Sequence, residues 1–255
     1  MTVCRCRRSC VIPSVDASEV PFLTTDQMIE VDRAMTEEYG IDLVRMMENA
    51  GRGLADLARE LFLDGDARRR GIVVLAGTGG NGGGALVAAR RLHNYGADVT
   101  VITTRSDESF APVPRDQLAI VRRMGIAVGS LADAGSLGES DIILDGLIGY
   151  SLRGAPRGDA AALIARANQS AAPVLSLDAP SGVDTTTGTV FDPAIRAAAT
   201  MTLALPKQGL RAPGVAHNVG DLYLADISVP PGLYQRSFGL PVAPLFAESD
   251  IVRLV

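Results

Sequence analysis

Gly77-Thr78-Gly79-Gly80-Asn81-Gly82-Gly83-Gly84 is the stretch that decides the fold, and six of its eight residues are glycine. An apolar run at residues 72–76 precedes it, and an alanine- and leucine-rich run at residues 85–92 follows it. The order of strand, glycine turn and helix is typical of chains that bring bare backbone N–H groups against a phosphate. The N-terminus of a helix also favours negative charge. The stretch therefore predicts a site for a phosphate-bearing small molecule, such as a nucleotide.

The rest of the sequence alternates between β-rich and helix-rich segments. Two helices are predicted first, one starting near Asp26 and one over residues 43–63. Further on, we predict strands at residues 72–76, 99–103, 126–128, 142–145, 174–178, 199–205 and 221–227, with helices at residues 83–95, 114–124 and 158–169. Strands separated by helices of this length form a parallel sheet covered on both faces. We expect an α/β protein with one domain over residues 21–255 and a disordered tail over residues 1–20.

The composition is that of a soluble globular protein, with 255 residues, 47% hydrophobic residues and a net charge of −5. The mild acidity argues against a nucleic-acid surface, and no apolar run approaches the roughly 20 residues that cross a bilayer. All three cysteines, Cys4, Cys6 and Cys10, lie in the first ten residues. Their spacing is compatible with a metal site, but a disordered leader or an over-long start is favoured, because no further cysteine lies nearby. The absence of cysteine elsewhere fits a reducing compartment, and we expect a cytoplasmic protein.

Two acids end predicted strands, Asp145 and Asp178. Ligands of an open parallel sheet bind beyond the carboxyl ends of its strands, so these acids and the glycine stretch should converge on one rim. Asp178 opens the turn Asp178-Ala179-Pro180-Ser181-Gly182. Asp178 can accept a proton and Ser181 can offer an oxygen to a cation. Alternatively, both bond only to the backbone of their own turn.

The loop after Asp145 carries Tyr150, Ser151 and Arg153 between glycines. Arg153 suits a phosphate, although a solvated surface loop explains the composition as well. The two histidines, His93 and His217, have no metal-ligand neighbours at regular spacing. Lys207 is the only lysine of the chain. It could support a phosphate or a carboxylate, or it could cap a loop.

Taken in order, these segments resemble the NAD(P)H-hydrate epimerase family, also called the YjeF N-terminal domain. The resemblance covers roughly residues 23–230 and is carried by residues 23–28, 47–51, 77–84, 145–154, 178–182, 206–210 and 220–227. It implies a three-layer α/β/α Rossmann-like fold with a mostly parallel central sheet, usually dimeric. It also implies an isomerase that binds potassium and interconverts the R and S forms of hydrated NADH and NADPH.

The resemblance also assigns roles to residues. The potassium ligands would be Asn81, Asp145 and Ser181, and Asp178 would lie by the reacting ring as the catalytic acid–base group. The nucleotide would lie against two stretches of chain, Gly80, Asn81, Gly82, Gly83 and Gly84 in the first and Gly149, Tyr150, Ser151, Leu152, Arg153, Gly154 and Ala155 in the second. The family usually has G-x-G-N-N-G-G-D-G in the first stretch. This chain has Gly80, Gly84 and Ala85 in place of the first Asn, the Asp and the last Gly.

Two other functions remain open at this point. The altered glycine stretch is compatible with a dimeric nucleotide- or RNA-binding module that has lost catalysis, although the negative net charge disfavours RNA. A dehydrogenase would want an acid at the end of the next strand, where Thr103-Thr104-Arg105 stands instead. The sequence has no room for a kinase-like dehydratase domain, so we expect an epimerase that works with a separate ATP- or ADP-dependent dehydratase.

Overall fold

The computed structural model of the protein describes residues 12–135 and 137–255. Within this part of the chain the strands are β1 (Ser14–Val15), β2 (Gly71–Ala76), β3 (Asp98–Thr103), β4 (Ala127–Gly129), β5 (Ile142–Gly146), β6 (Val174–Leu177), β7 (Ala199–Leu203), β8 (Asp221–Ala225) and β9 (Ile251–Leu254). The α-helices are α1 (Thr25–Glu37), α2 (Leu43–Phe62), α3 (Gly80–Asn94), α4 (Pro112–Arg123), α5 (Gly158–Gln169), α6 (Ala216–Val219) and α7 (Pro231–Phe238).

The nine strands form one sheet in the order β1-β9-β8-β7-β6-β5-β2-β3-β4. All neighbours are parallel except β8 and β9. The chain builds outward from β2 through β3 to β4, and then returns to place β5 on the other side of β2. This reversal is a topological switch point, where a crevice opens beyond the carboxyl ends of the strands. The mostly parallel α/β sheet predicted from the sequence is confirmed.

Alternate residues of the strands face two helical layers. Val74 of β2 packs in a core with residues of α2, α3 and α4, whereas its neighbour Leu75 packs in a second core with residues of α5. This alternation is the two-residue period of a strand buried on both faces. The result is the three-layer α/β/α arrangement that the resemblance implied.

The first two helices begin at side-chain caps. Thr24 Oγ1 accepts a hydrogen bond from the backbone N–H of Gln27 at 3.2 Å, and Gln27 Oε1 accepts one from the N–H of Thr24 at 2.9 Å. This capping box satisfies two N–H groups that the first turn of α1 leaves without partners. Asp42 caps α2 in a similar way through the N–H of Arg45.

The glycine stretch differs from its prediction, because α3 begins at Gly80 rather than at residue 83. A Cβ built on Gly82 would lie 1.8 Å from Gly77 O, and one built on Gly83 would lie 2.5 Å from Met47 Sδ. Glycine is therefore required for the first turn of the helix to pack this closely against the turn before it and against α2. Propensity favours a loop here, and the packing overrides it.

The predicted tail over residues 1–20 is corrected in its second half. Residues 12–20 contain β1, which pairs with β9 from the far end of the chain, and Val20 is buried in the core. The three cysteines lie outside the described residues. Among the described residues, no helix has both the length and the apolar character of a membrane span.

Candidate active site

A cavity of about 500 Å³ opens beyond the carboxyl ends of β2, β5 and β6. Its volume is within the range of small-molecule sites. Its walls come from α1, α2, the start of α3 and the loops that follow β5 and β6. The predicted convergence of the glycine stretch and Asp178 on one rim is therefore observed, and Asp145 lies directly beneath it at the end of β5.

Two charged side chains of the cavity wall, Asp178 and Lys207, form an ion pair. The Lys207 side chain is fully buried and that of Asp178 is 5% exposed. Lys207 Nζ donates hydrogen bonds to Asp178 Oδ1, to Thr202 Oγ1 at 3.2 Å and to the Leu203 carbonyl at 2.9 Å. All three ammonium protons thus have acceptors, which is the condition for burying a lysine.

The other oxygen of Asp178 is fixed by the backbone. Asp178 Oδ2 accepts a hydrogen bond from the N–H of Tyr150 at 3.0 Å. Asp178 itself has a φ of +66°, in the left-handed region that few residues other than glycine occupy. Strained backbone of this kind is concentrated at functional sites. The carboxylate is therefore held from two sides while its residue lines the cavity.

A second carboxyl group lies on the same wall. The hydroxyl of Tyr150 donates a hydrogen bond to Asp32 of α1, and both residues line the cavity. Burial raises the pKa of Asp32, although the Tyr150 hydrogen bond and the charge of Lys207 oppose the shift. Burial is also the largest cause that raises the pKa of the Tyr150 phenol, followed by the negative charge of Asp32.

Asp145 lies beneath this wall and is fully buried. It accepts four hydrogen bonds, from Ser176 Oγ at 2.8 Å, from Ser181 Oγ at 2.6 Å, from the Ser181 N–H at 2.9 Å and from the Leu147 N–H at 3.2 Å. Burial raises the pKa of the Asp145 carboxyl, and these bonds oppose the rise. Every donor among the described residues is neutral, so dipoles, and no cationic side chain of this part of the chain, solvate the carboxylate.

The three residues assigned to potassium have the chemistry that this ion needs. The structure places Asp145 and Ser181 in direct contact. Asn81 lines the cavity close to them, and its side-chain nitrogen is buried without a hydrogen-bond partner among the described residues. Turning the amide group over exchanges its oxygen and nitrogen, which are nearly the same in size, so the Asn81 oxygen can take that position. A carboxylate, a hydroxyl and an amide oxygen fit a hard monovalent cation.

The described part of the chain has no cluster of side chains for metal ions that prefer histidine, cysteine or several acids. Among the described residues, no group of three or more His, Cys, Asp or Glu side chains is arranged to hold a metal ion. The donor set of Asn81, Asp145 and Ser181 is of a different kind.

The glycine stretch divides into two parts. A Cβ on Gly79 or Gly80 would meet nothing within 4 Å, so bare backbone faces open space at the mouth of the cavity. Gly82 and Gly83 are buried in helix packing and do not line the cavity. Gly84 does line it, and a Cβ there would lie 2.8 Å from Leu177 Cδ2. The wall at Gly84 is therefore apolar where the family usually has a carboxylate.

Only the first part of the loop after β5 contributes to the cavity. Gly149, Tyr150 and Ser151 line the cavity, whereas the remaining four predicted contacts do not. Those four are Leu152, Arg153, Gly154 and Ala155, which lie farther along the loop and are largely exposed. A Cβ on Gly149 would lie 3.1 Å from both Asn81 Cγ and Asp178 Oδ2, so this glycine allows the two side chains to approach each other.

The sequence analysis missed two residues of the site. Asp32 lies on the buried face of α1 with Met28 and Met35, and an acid on an apolar helix face was the available signal. Lys207 was noted as the only lysine, but its pairing with Asp178 could not be chosen over the alternatives. The structure shows that it supports a carboxylate.

The chain is similar to a known family and to several known proteins. The family described as "YjeF-related protein N-terminus" matches residues 44–209. The chain is 43% identical over 244 residues to the NAD(P)H-hydrate epimerase of Dehalogenimonas lykanthroporepellens, covering 94% of this chain and 96% of that protein. It is 33% identical over 215 residues to the NAD(P)H-hydrate epimerase of Rhodopirellula baltica, covering 83% and 86% of the two proteins.

Longer relatives and a solved structure extend the comparison. The bifunctional NAD(P)H-hydrate repair enzyme Nnr of Moorella thermoacetica is 35% identical over 216 residues, which is 82% of this chain and 41% of the relative. The crystal structure of the yeast protein ynu0 shares the fold, with a TM-score of 0.76 and 22% identity over 92% of this chain and all of that one. On these matches, which extend over most of its length, the chain belongs to the NAD(P)H-hydrate epimerase family, whose domain is the YjeF-related N-terminus.

Proposed function

We propose that this protein is an NAD(P)H-hydrate epimerase, an isomerase that interconverts the R and S forms of hydrated NADH and NADPH. The observation that carries the proposal is the buried pair of Asp178 and Lys207 on the wall of the cavity. The names of relatives that match nearly the whole chain support it.

The reaction needs proton transfer and no redox step. The hydrated carbon of the substrate carries a hydroxyl next to a ring nitrogen, which makes it a hemiaminal. Such a centre inverts either by losing water to an iminium and regaining it on the other face, or by ring opening. Both routes require a group that moves a proton at the hydroxyl, and a positioned carboxylate is a common one.

Asp178 is our candidate for this group. Its carboxylate lies in the cavity with one oxygen bonded to Lys207 and the other to the Tyr150 N–H. The ammonium of Lys207 fixes the orientation of this carboxylate, since charge-assisted hydrogen bonds are the strong ones. Each oxygen keeps a lone pair that can accept a proton from the reacting hydroxyl or from water.

The mouth of the cavity suits the phosphates of the nucleotide. Gly79 precedes α3 without a side-chain cap, which leaves the first N–H groups of the helix available to a ligand. Together with the helix dipole, these groups favour an anion. Binding the phosphates there would direct the nicotinamide end of the substrate toward Asp178, which lies deeper in the cavity.

We also propose a bound potassium ion, with Asn81, Asp145 and Ser181 as its ligands. Two observations support this assignment: Asn81 Nδ2 is buried without a hydrogen-bond partner among the described residues, and the hydrogen-bond donors to buried Asp145 are neutral. Such an ion would supply positive charge beneath the loop that carries Gly149 and Tyr150. It would thereby hold that loop, and with it the N–H that binds Asp178.

Three further expectations follow from the family. The names of the bifunctional relatives suggest that the epimerase cooperates with a dehydratase, which we propose to be a separate ATP- or ADP-dependent protein. We also propose a homodimer. A cytoplasmic location is supported by the restriction of cysteine to the first ten residues.

Glycine at positions 80 and 84, in place of the usual Asn and Asp, supports a second candidate function. This is a dimeric nucleotide- or RNA-binding module without turnover. The negative net charge disfavours RNA as the ligand. Two family side chains are absent from the rim of the cavity, and the wall at Gly84 is apolar.

An epimerisation assay separates the two functions. The protein is mixed with R-enriched hydrated NADH in potassium buffer and coupled to an S-specific dehydratase, with a protein-free reaction as the control. Acceleration above that control is the expected result. Nucleotide binding by a folded protein without acceleration would instead identify the binding module.

A further inference from the structure

Asp32 reaches the cavity from an element that contributes no other charged group to it. It lies on α1, next to the buried Val31 and one turn from the cavity-lining Met28. An acid on the buried face of a helix is costly unless something requires it. Its side chain has one protein partner that accounts for its position, the hydroxyl of Tyr150.

Tyr150 connects the two carboxyl groups of the cavity. Its backbone N–H binds Asp178, and its hydroxyl, at the opposite end of the side chain, binds Asp32. The two carboxyl groups are therefore linked through one tyrosine and approach the cavity from different elements, the end of β6 and α1.

The start of α1 is tied to the loops beneath the cavity. Thr25 Oγ1 lies 2.9 Å from Thr185 Oγ1, and Thr185 Oγ1 donates to the Tyr150 carbonyl at 3.4 Å. The Thr25 N–H also binds Thr186 Oγ1 at 3.0 Å. These bonds fix the position of α1 relative to Tyr150, and hence that of Asp32 relative to Asp178.

The two carboxyl groups differ in electrostatic environment. Asp178 has an ammonium group beside it, which stabilises a carboxylate. Burial raises the pKa of Asp32, and the charge of Asp178 raises it further. One group is thus suited to accept a proton and the other to hold one, which is the usual arrangement of an acid and a base in one site.

We propose that Asp32 is a second proton-transfer group of this site, paired with Asp178 across the substrate ring. The inference rests on the proposed epimerase function and assigns the route through water loss. Asp32 donates its proton to the substrate hydroxyl, the C–O bond breaks to release water, and the ring nitrogen lone pair forms the iminium. A second water attacks the other face, a new C–O bond forms, and Asp178 accepts the proton that this water loses.

The opposite epimer uses the two groups in the reverse order. After one inversion Asp32 is ionised and Asp178 is protonated, and exchange with solvent through the cavity mouth restores both. The reaction therefore needs no oxidant, reductant or co-reactant other than water.

The test compares Asp32→Asn with the wild-type protein. Asparagine still accepts the hydrogen bond of Tyr150 but has no proton to donate as an acid. We expect the rate of epimerisation to fall about 100-fold in both directions, the typical loss on removing a general acid or base. Affinity for hydrated NADH, measured by calorimetry, should stay unchanged. In heavy-oxygen water, wild-type protein should place solvent oxygen in the product at each inversion.

Asp26→Asn is the matched control, since Asp26 is exposed on the first turn of the same helix. It should leave the rate unchanged. Tyr150→Phe keeps the N–H that binds Asp178 and removes only the contact with Asp32, so it should cause a smaller loss than Asp32→Asn.

The outcomes distinguish a failure of the proposed epimerase function from a failure of the role of Asp32 alone. If wild-type protein does not accelerate epimerisation, the proposed function fails and this inference fails with it. If the wild type is active and Asp32→Asn matches it, or if the substrate oxygen is retained through inversion, only the role of Asp32 is overturned.

Discussion

The ends of β5 and β6 place two acids on neighbouring parallel strands, yet their surroundings differ. Asp145 is surrounded by four neutral donors from serine side chains and the backbone. Asp178 is paired with a buried ammonium and lies at a cavity. The same position in the topology thus serves two purposes, and the groups that later segments bring to each acid decide which one applies.

The contrast has a physical basis in how each charge is balanced. Neutral dipoles solvate Asp145 but leave a net negative charge, which favours either a proton or a cation. Lys207 balances the charge of Asp178 within the protein, and Asp178 lines the cavity, where a ligand can reach it. Asp145 is therefore the candidate for holding an ion, and Asp178 is the candidate for chemistry.

The largest expected effect comes from Asp178→Asn, which should lower the rate of epimerisation about 10³-fold, within the range known for general acid–base groups. The amide has a single acceptor oxygen, so it keeps the hydrogen bond of either Lys207 or the Tyr150 N–H, and it cannot accept the reacting proton. The loss should be the same at every potassium concentration. Initial rates with hydrated NADH measure it, and calorimetry should show little change in binding.

Asp145→Asn is the comparison for that experiment. It should lose less activity than Asp178→Asn. Its rate of epimerisation should no longer depend on the potassium concentration. A near-wild-type rate for Asp178→Asn would remove this residue from the mechanism and leave the two acids without a difference in role.

The next effect concerns stability. Lys207→Met leaves the Asp178 carboxylate buried without its cation, and breaking one side of a buried pair costs about 3 kcal/mol or more. Ser176→Ala removes a neutral donor from Asp145 instead and should cost about 1 kcal/mol. Urea denaturation of both variants gives the free energies of unfolding.

The double variant Asp178→Asn with Lys207→Met sharpens this result. Removing both charges should restore part of the stability that Lys207→Met loses, because the uncompensated carboxylate is gone. Equal losses in the single and double variants would mean that the pair contributes through packing alone.

The sheet was predictable because its signal is local. Apolar runs bounded by turn residues, separated by helical segments, indicate a parallel sheet, and the topology then brings Asp145 and Asp178 to one edge. The partners of these acids were not predictable in the same way. Lys207 is 29 residues from Asp178, and Tyr150 is 118 residues from Asp32. No local pattern specifies such pairs.

Two local predictions also differed from the structure, for the same kind of reason. Glycine has a low helix propensity, so the start of α3 at Gly80 follows from close packing that the sequence pattern does not reveal. The strand at Ser14–Val15 is two residues long and exists because β9, from the other end of the chain, provides a pairing edge. In both cases distant segments override local preference.

Potassium gives a third and smaller contrast between the acids. A ligand that binds only the folded protein stabilises it, by about 2 kcal/mol at concentrations some tens of times its dissociation constant. We expect potassium chloride to raise the melting temperature of the wild type above the value in equal sodium chloride. Asp145→Asn should abolish this difference, whereas Asp178→Asn should retain it. Loss of the difference in Asp178→Asn alone would move the ion to the other acid.

The smallest expected effect is on the pH dependence of stability, and it concerns Asp32, the third acid of the site. Its titratable neighbours are Tyr150, Lys207, Asp178 and Tyr234. Burial raises its pKa in the folded state above the value of 3.8 for an unperturbed side chain. A raised carboxyl pKa means that its contribution to stability is fully present below the unfolded value. That contribution to stability is lost as the pH rises through the pKa that Asp32 has in the folded protein.

Asp32→Asn should therefore gain stability relative to the wild type over the pH range above the unperturbed pKa of 3.8. Thermal melts of both proteins across this range measure the gain, with Asp26→Asn as the exposed control that should show none. If the stability advantage of Asp32→Asn over the wild type shrinks as the pH rises, the Tyr150 hydrogen bond and the charge of Lys207 outweigh burial. Asp32 would then be a second base beside Asp178, and the site would lack the acid that this proposal requires.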